Sequence, residues 1–512
     1  MTVIYFDWLD YLVFGGMLLL SALIGVYFAF FAKRKQNTTA EYLMGGKTMG
    51  MFPISMSLIA SYISGISLLG LPAEMYTYGT QLWTIVLSEW AVSLTIALVY
   101  LPVFYNLQIT STYEYLRLRF NPNVRLLGSI IFIIKMLLYI PIVIYVPALA
   151  FNHSNLSLSN CFQGGLKAVV WTDTLQTVLM YFGVLFVLIY GTWRLGGTSN
   201  VLRNYMRRIY VLFYPTIRHT FWSTVFGNYF SWLASCSVNQ AMVQRCLALS
   251  SLKRARITIF IMAAGIFTIV SLCCYTGLVI YATFANCDPL TTGAIRKSDQ
   301  LLPYFVMTIT GSIPALPGIF MSGVFSAALS SMSTGLNSMC GVIFEDLIRP
   351  AYNKPISEKT AISIYFVSGV ICVALVFLVE HMGALIQAGK SLAGITAGSL
   401  LGLFSMGLFL PWVNATVTLI GGIASTILVG WISLGTQAAM LRGDIVIVPK
   451  PVSVDGCQGN FTLVVILYRS GTFILYRLSY LYYTLVGMIV CIIVGTVASF
   501  FTQPNDPSMV RI

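Results

Sequence analysis

About a dozen apolar stretches, each of about 20 residues or more, follow one another along the chain and are separated by short polar linkers. About 20 apolar residues in a helix cross the hydrocarbon core of a bilayer, because each residue adds 1.5 Å. We therefore predict an all-α polytopic membrane protein, with a single transmembrane domain over residues 1–512. The predicted spans are 9–32, 52–77, 81–107, 125–150, 168–191, 219–242, 256–283, 317–343, 361–381, 390–411, 413–435 and 478–501.

The composition supports a membrane domain. Only 9% of the residues are charged and 58% are hydrophobic, whereas soluble proteins have about 25% charged residues. The basic residues behind the net charge of +13 cluster in short linkers, which is typical of cytoplasmic loops and does not require a nucleic-acid partner. Lys33, Arg34 and Lys35 follow the first span and place the N-terminus outside the cell. The start, MTVIYFDWLD, has no basic region, so we expect no cleaved signal peptide.

Two predicted spans are interrupted. Span 52–77 contains Gly65, Gly70 and Pro72, and span 219–242 contains Gly227-Asn228 and a polar end at 235–240. Backbone can unwind inside a membrane only where it lines a cavity or is buried in protein. Either segment alone is compatible with glycines that allow close packing of helices. The pair favours a transporter built from inverted repeats, in which substrate and ions bind where helices are broken.

Span 317–343 carries a run of small polar residues, AALSSMSTGLNS at 327–338, where a lipid-facing helix would be apolar. Ala327, Ser330 and Ser331 are spaced i, i+3 and i+4 and therefore share one helix face. Neutral oxygens on one face are hard ligands that suit an alkali cation. The alternative is that these hydroxyls bond to carbonyls one turn earlier or hold neighbouring helices together.

Two carboxylates lie inside predicted spans. Asp173 follows WT a few residues into span 168–191, and Glu89 lies in span 81–107. A carboxylate at membrane depth is costly and marks a functional site that faces the bundle interior. For Asp173 the alternative is an interfacial residue that caps the helix, and for Glu89 the role stays open.

Three cysteines, Cys161, Cys287 and Cys457, lie in polar linkers and can form an extracellular disulfide, although the sequence does not pair them. The linker 437–477 also contains the sequon Asn460-Phe-Thr, a glycosylation candidate. Three dispersed histidines and cysteines without metal spacing predict no metal site other than the one for an alkali cation.

Several motifs together resemble those of the sodium/solute symporter family. They are GGLKAVVWTD (164–173), RHTFW (218–222), VNQAMVQR (238–245), the serine run at 327–338 and YRLSYLYYTLVG (476–487). The resemblance covers nearly the whole chain and is greatest to the animal branch of sodium-coupled monocarboxylate, multivitamin and iodide cotransporters. The phrase KPVSVDGC (450–457) is similar to insect members of that branch.

This resemblance implies a LeuT-like inverted-repeat core of 5+5 helices over 52–411, with a leading helix at 9–32 and trailing helices at 413–501. Spans 52–77, 219–242 and 317–343 become the first, sixth and eighth core helices. The family's sodium site then falls on five residues, and its acid on the path of sodium toward the cytoplasm falls on Asp173. The implied sodium ligands are the carbonyls of Ala60, Ile63 and Ala327 and the hydroxyls of Ser330 and Ser331.

The implied substrate pocket has mostly apolar and hydroxyl groups. Its members on the first core helix are Tyr62, Ser64 and Ser67, and those on the sixth are Trp232 and Ser235. The amide and carboxylate side chains expected for a polyol are missing, so a small organic anion fits better, its charge met by hydroxyls, a helix N-terminus and sodium. Lys390 can contact a carboxylate, but we favour the alternative that it reaches the outer membrane surface.

The chain departs from the family pattern between Phe151 and Phe162, where the fourth core helix belongs. The twelve residues FNHSNLSLSNCF are mostly polar and too few to span a bilayer. Without that helix every later loop changes sides, and the basic linker 245–256 would face outward. We infer a splice form or an error in the gene structure, and the sequons at Asn152 and Asn155 are then products of the junction.

The sequence therefore predicts a plasma-membrane symporter that couples sodium to small organic anions by alternating access. Its predicted partners are Na⁺ as coupling ion, the anion and the lipid bilayer, with no cofactor. No enzyme motif is present: P-loop, HExxH and GxSxG are all absent. The alternatives are a sodium channel, which passes current without substrate, and a non-transporting sensor or remnant, which binds substrate without uptake.

Overall fold

The computed structural model describes residues 7–27, 49–109, 111–150, 165–205, 218–311, 313–351, 358–379, 385–447, 449–457 and 472–502. Within these ranges the protein is all-helical. Eight helices are long and apolar enough to cross a membrane, and a bent pair adds a ninth span. Each of the twelve predicted spans coincides with one of the described helices or helix pairs.

The first half of the chain contains the leading helix and the first repeat. Helix α1 is Trp8–Val26, and the bent pair is α2 (Met51–Tyr62) and α3 (Gly65–Tyr78). The next span, Thr80–Leu107, contains α4 (Ile85–Thr95), a π-helical turn and α5 (Leu101–Leu107). The helices that follow are α6 (Glu114–Arg119), α7 (Pro122–Ala150), α8 (Gly165–Arg194) and α9 (Thr198–Tyr205).

The second half begins with a π-helical turn that continues into α10 (Asn228–Cys236). The helices that follow are α11 (Gln240–Leu247), α12 (Leu252–Thr283), α13 (Leu301–Thr310), α14 (Leu316–Val342), α15 (Glu358–Val379), α16 (Leu385–Phe409), α17 (Ala415–Leu441) and α18 (Tyr483–Ser499). Among the candidate spans, α14 and α16 are the most enclosed by protein, which explains why they carry small and polar residues instead of lipid-facing ones.

Both predicted interruptions exist: the first includes the implied ligand Ile63 and the second lies within the polar end at 235–240, whereas Gly70, Pro72 and Gly227-Asn228 do not break their helices. The first helix breaks at Ile63 and Ser64, with a bend of 54°, while Gly70 and Pro72 lie inside α3. The sixth core helix continues through Gly227 and Asn228 and breaks only at residues 237–239. Gly227 instead allows close packing, since a Cβ there would come within 2.9 Å of the Leu481 carbonyl oxygen.

Helices α7 and α8 both run antiparallel to α14. Arg125 near the start of α7 bonds to Asp346 just beyond α14, whereas Ile140 faces Gly335. In the same way α8 places Asp173 beside Ser330 and Gly183 beside Phe320. Helices α7 and α8, although consecutive in the chain, therefore run parallel to each other. The connection from Ala150 to Gly165 joins opposite ends of the bundle. In the described residues no helix lies between them, and residues 151–164, with Cys161, Asn152 and Asn155, lie outside the described ranges.

A disulfide joins Cys287 to Cys457, which settles the pairing that the sequence left open. It ties the linker after α12 to the segment after α17, and disulfides form in oxidising compartments. Lys297 in the same linker donates to the Tyr145 hydroxyl near the end of α7, at 3.0 Å. We call this end of the bundle the disulfide side.

Candidate ion-binding and substrate site

The break between α2 and α3 leaves backbone oxygens without helical partners. The Ile63 N–H still donates to the Ile59 carbonyl, but the next helical bonds go to Ser64. Within the described residues, the carbonyls of Ala60 and Ile63 accept no hydrogen bond. Both residues are at most 2% exposed, and buried carbonyls without a donor are costly unless a ligand occupies them.

The predicted face of α14 points at this break. Ala327, Ser330 and Ser331 are all buried, and the Ser331 hydroxyl lies 3.4 Å from the Ser61 carbonyl oxygen, to which it donates. The Tyr139 hydroxyl lies within interaction range of Ser331 and also of Ser64, on the other side of the break. A Cβ on Gly65 would lie 3.6 Å from the Ala328 methyl. Small residues on both helices therefore bring the break within contact distance of α14.

The oxygens gathered here suit a hard monovalent cation. Two carbonyls and two hydroxyls carry partial negative charge without a fixed charge, and a break in a transporter helix offers such oxygens to Na⁺. In the described part of the chain no group of three or more His, Cys, Asp or Glu residues is placed to hold a metal ion. The arrangement fits sodium better than a divalent or transition metal, which takes carboxylate, imidazole or thiolate ligands.

Asp173 lies directly behind the serine face. It is fully buried, more than two helical turns after the start of α8, so it does not cap that helix. Its carboxylate accepts from the hydroxyls of Ser330 and Ser57, both at 2.6 Å, and forms an ion pair with Arg245 at 2.9 Å. The Arg245 guanidinium also donates to Thr334 at 2.6 Å. Ser330 thus joins the candidate sodium site to a buried ion pair.

Arg245 was not predicted as part of the site. The sequence suggested only a basic linker at 245–256, yet the Arg245 side chain is buried and points inward from α11. The sequence feature that could have identified Arg245 is its position directly after a broken helix, where a short polar segment is enclosed by other helices. Charge counting alone assigned it to the cytoplasmic surface.

Three of the five predicted pocket residues lie together where α2 and α10 meet. The Tyr62 hydroxyl donates to the Ser235 carbonyl at 2.9 Å, and the rings of Tyr62 and Trp232 are 5.4 Å apart. Ser64 faces Tyr139 across the break. Ser67 lies one turn later, where its N–H donates to the Ser64 carbonyl, and no contact in the described residues joins its side chain to the others.

Lys390 does not reach the outer membrane surface, and this expectation was wrong. Its ammonium turns into the bundle, donates to the side-chain amide oxygen (Oδ1) of Asn228 at 3.2 Å and lies 5.3 Å from the centre of the Trp232 ring. Asn228 in turn donates to Ser88 at 2.8 Å, next to the buried Glu89. The second intramembrane carboxylate therefore lies near a cation on α16.

A second charged cluster, which the sequence did not predict, lies on the disulfide side of the pocket. Arg218 of the RHTFW motif forms an ion pair with Glu74 at 2.5 Å and bonds to Gln387. Its guanidinium also lies over the rings of Tyr78 and Tyr480, at 4.5 Å and 5.3 Å from their centres. The cluster joins α3, the start of the sixth core helix, α16 and the turn before α18, and so closes the bundle above the pocket.

Asp299 lies beside this cluster, in the linker on the disulfide side. It is 2% exposed, and its carboxylate accepts from the Leu385 N–H at the start of α16, at 3.1 Å. Burial of the carboxylate raises the pKa of Asp299 to about 6, against the smaller opposing effect of the Leu385 hydrogen bond. The charge of this carboxyl, which lies outside the spans, therefore changes within a mildly acidic range.

A third cluster holds the opposite end of α14. Arg125 at the start of α7 donates to Asp346 at 2.9 Å, and the Asp346 carboxylate also accepts from Ser129 and Ser111, at 2.7 Å and 2.9 Å. All of these side chains are buried. The described structure thus has buried ion pairs at both ends of the bundle and a polar site between them.

Fold and site together define an ion-coupled transporter with broken core helices. The chain belongs to the sodium:solute symporter family, whose profile matches residues 42–425. It is 37% identical to sodium-coupled monocarboxylate transporter 2 of Mus musculus, over all of this chain and 87% of that protein. It is 38% identical to sodium-coupled monocarboxylate transporter 1 of Xenopus laevis, over 96% of this chain and 85% of that protein.

A relative with another substrate is also similar. The sodium-dependent multivitamin transporter of Oryctolagus cuniculus is 35% identical over 98% of this chain and 84% of that protein. Among solved structures, the substrate-bound, outward-open state of a Na⁺-coupled sialic acid symporter superposes with a TM-score of 0.75 at 22% identity, over 98% of this chain and 100% of that one. This likeness confirms the predicted LeuT-like fold.

Proposed function

We propose that the protein is a sodium-coupled symporter for small organic anions, such as monocarboxylates or vitamin-like carboxylates. One observation carries the sodium part: the unpaired carbonyls of Ala60 and Ile63 lie opposite the buried serine face of α14. The names of the relatives, which refer to monocarboxylates and to vitamins, support the anion part.

In this proposal Na⁺ binds to the carbonyls of Ala60, Ile63 and Ala327 and to the hydroxyls of Ser330 and Ser331. A hydroxyl has one proton and two lone pairs. Ser330 can therefore donate to Asp173 and still offer an oxygen to the ion. The bound ion ties the break in the first core helix to α14, and this selects the arrangement that binds substrate. Coupling follows because sodium and anion both favour the same state.

Asp173 is proposed to receive sodium on its way to the cytoplasm. Its carboxylate shares the Ser330 hydroxyl with the sodium site, so an ion that leaves the serines meets a negative charge next. In the present arrangement the Arg245 guanidinium forms an ion pair with the Asp173 carboxylate at 2.9 Å. Release of sodium then requires the Arg245 guanidinium to give way, which links ion exit to a movement of α11.

The proposed substrate pocket comprises Tyr62, Ser64, Trp232 and Ser235, with Ser67 on its margin. The apolar faces of the Tyr62 and Trp232 rings suit a short hydrocarbon chain. The open turn at Ser64 presents the N-terminus of α3 to the carboxylate, and a helix N-terminus favours negative charge.

We place the protein in the plasma membrane with its N-terminus outside. Asp10 in α1 accepts from the Gly318 N–H at the start of α14, on the disulfide side. An oxidised cysteine pair on that side supports an extracellular location. Asn460 follows Cys457 by three residues and is therefore a glycosylation candidate, although it lies outside the described residues.

Isotope uptake in cells that express the chain tests the proposal. The panel is pyruvate, lactate, nicotinate, biotin, pantothenate and iodide, each with sodium and with choline in its place, and with glucose as a neutral comparison. Uptake of at least one carboxylate should require sodium and saturate. Robust sodium-dependent glucose uptake that no anion competes for would refute the substrate class. Sodium current without substrate indicates a channel, and substrate binding without uptake indicates a sensor or a remnant.

A further inference from the structure

Lys135 lies in the middle of a membrane-spanning helix. It is the fourteenth of the 29 residues of α7, within the otherwise apolar run SIIFIIKMLLYI. Thirteen residues of helix place it about 20 Å from the start of α7, which is too far for a lysine side chain to reach water along the helix. The side chain is only 6% exposed. A buried ammonium at this depth is costly and calls for a partner.

Among the described residues no anionic side chain takes that role. In the described ranges Lys135 forms none of the ion pairs, and its ammonium donates no hydrogen bond to another side chain. The groups in electrostatic range are the Cys236 thiol on α10 and a second cation, Lys390 on α16. Cys236 directly follows Ser235, whose carbonyl accepts from the Tyr62 hydroxyl at 2.9 Å, so Lys135 faces the region of the proposed pocket.

Lys390 differs because it has a fixed position and a counter-charge. It donates to Asn228 at 3.2 Å, lies over Trp232, and interacts electrostatically with Glu89. One oxygen of the Glu89 carboxylate is buried without a hydrogen-bond partner. Lys390 on α16 therefore interacts both with Lys135 on α7 and with Glu89 on α4, and counting each group in its usual ionised form leaves one positive charge in excess.

We propose that Lys135 and Lys390 bind the carboxylate of a monovalent organic anion, with Lys135 as its main charge partner. This rests on the proposed function and names the residues that recognise the substrate. One negative charge neutralises the excess, whereas a neutral solute leaves it buried and a dicarboxylate overcompensates it. Lys390, held by Asn228, fixes the carboxylate beside Trp232, so that the hydrocarbon part lies against the rings of Trp232 and Tyr62.

The test measures binding to the purified full chain in lipid nanodiscs at saturating sodium. The probes are butyrate, its neutral isostere butyramide, the dicarboxylate succinate, and iodide. The parent should bind butyrate at least tenfold more tightly than butyramide or succinate. Lys135→Met keeps length and removes charge, and should weaken butyrate binding at least tenfold, while Lys135→Arg should retain most of it. Lys253→Met, at an exposed position of α12, is the matched control and should bind as the parent does.

Thermal stabilisation by sodium alone provides a second readout. Lys135→Met should still be stabilised by sodium, because Lys135 is not one of the proposed sodium ligands. Butyrate binding by Lys135→Met equal to the parent's overturns the inference and leaves the proposed function intact. Equal competition by iodide overturns the assignment of a carboxylate. If Lys135→Met fails to fold, the binding of butyrate and butyramide to the parent tests the inference instead. Equal affinity of the parent for the two would refute a charge partner for the carboxylate. A parent that binds only neutral solutes contradicts the proposed function as well.

Discussion

Ser330 joins two parts of the protein through one hydroxyl. The hydroxyl donates a hydrogen bond to the Asp173 carboxylate at 2.6 Å, and its oxygen keeps lone pairs that a cation can use. Donation to a carboxylate makes a hydroxyl oxygen a better acceptor, because hydrogen bonds in a chain polarise one another. Sodium bound at this oxygen is therefore sensitive to the charge on Asp173 and to its pairing with Arg245.

Single serine substitutions distinguish between two roles for the serine face of α14, sodium binding and helix packing. Loss of one hydroxyl ligand should cost on the order of 1–3 kcal/mol, or roughly a ten- to hundredfold rise in the sodium concentration for half-maximal uptake. We expect this for Ser331→Ala and Ser330→Ala. Ser333→Ala should change it much less, since its hydroxyl bonds back to the Ser330 carbonyl at 3.1 Å and is half-buried. Sodium-activation curves of substrate uptake at matched surface expression provide the measurement.

Ser333→Ala is also the internal control, because it removes a hydroxyl from the same helix at a different face. If all three variants activate with the parent's sodium dependence, in a form that transports, the serines only pack helices and the ion binds elsewhere.

The sequence predicted the serine face because spacing along one helix determines which residues share a face. It did not predict where long charged side chains point. Lys390 was expected at the outer surface, and Arg245 was assigned to a cytoplasmic linker, yet both turn inward to partners on other helices. Those partners, Asn228 and Asp173, are far away in sequence, so no local pattern identifies them. Lys135 did have a signal, a lone cation within an apolar span, which by itself indicates function.

At the level of helices, the sequence predicted which spans are broken and the region of each break, but not which of their glycines and prolines remain inside a helix. Gly and Pro permit a break without forcing one, since a neighbouring helix can also require glycine for close approach. Gly277 of α12 is an example, because a Cβ there would lie 2.8 Å from the Pro72 carbonyl oxygen of α3. The observed breaks, at residues 63–64 (Ile-Ser) and 237–239 (Ser-Val-Asn), instead each include a polar residue and lie next to the sites.

The stability of the folded protein depends on the charge of Asp299, whose carboxyl accepts from the N–H of Leu385 at the start of α16. Its raised pKa, about 6 instead of 3.8, means that the folded protein holds a proton that the unfolded chain has already lost. Stability from this group is therefore greatest in acid and falls as the pH rises from about 4 to 6, by at most about 3 kcal/mol. Above about pH 6 both states are ionised and the contribution stays constant.

Asp299→Asn should remove this pH dependence and keep an oxygen for the Leu385 N–H. Thermal unfolding midpoints of parent and variant between pH 4 and pH 7 test it, and the parent's advantage should shrink as the pH rises. Asp455→Asn, an exposed carboxylate on the same side of the protein, is the matched control. A parent-to-variant difference that stays constant over this range would show that Asp299 does not titrate as the structure implies.

For the whole molecule, the parallel course of α7 and α8 is the central problem. Ala150 lies on the disulfide side and Gly165 on the opposite side, and fourteen residues connect them. As a helix these residues reach about 21 Å, short of the roughly 30 Å of a hydrocarbon core. The alignment with the mouse relative is 542 positions long for a chain of 512 residues, so about thirty positions are gaps in this chain. That number exceeds the length of one membrane-spanning helix.

We therefore expect the native transcript to encode roughly twenty or more additional residues between Ala150 and Gly165, enough for one membrane span. Such a helix would return the chain to the side where α8 begins and would keep the basic linker 245–256 in the cytoplasm. Full-length cDNA sequencing from the source tests this directly. In cells, insertion of about twenty apolar residues at this junction should raise sodium-dependent uptake above that of the 512-residue chain, whereas a Gly/Ser insertion of equal length should not, because it cannot cross the bilayer. If every transcript joins as written and the 512-residue chain transports normally, a missing helix is the wrong explanation, and the connection must cross the bundle enclosed by protein.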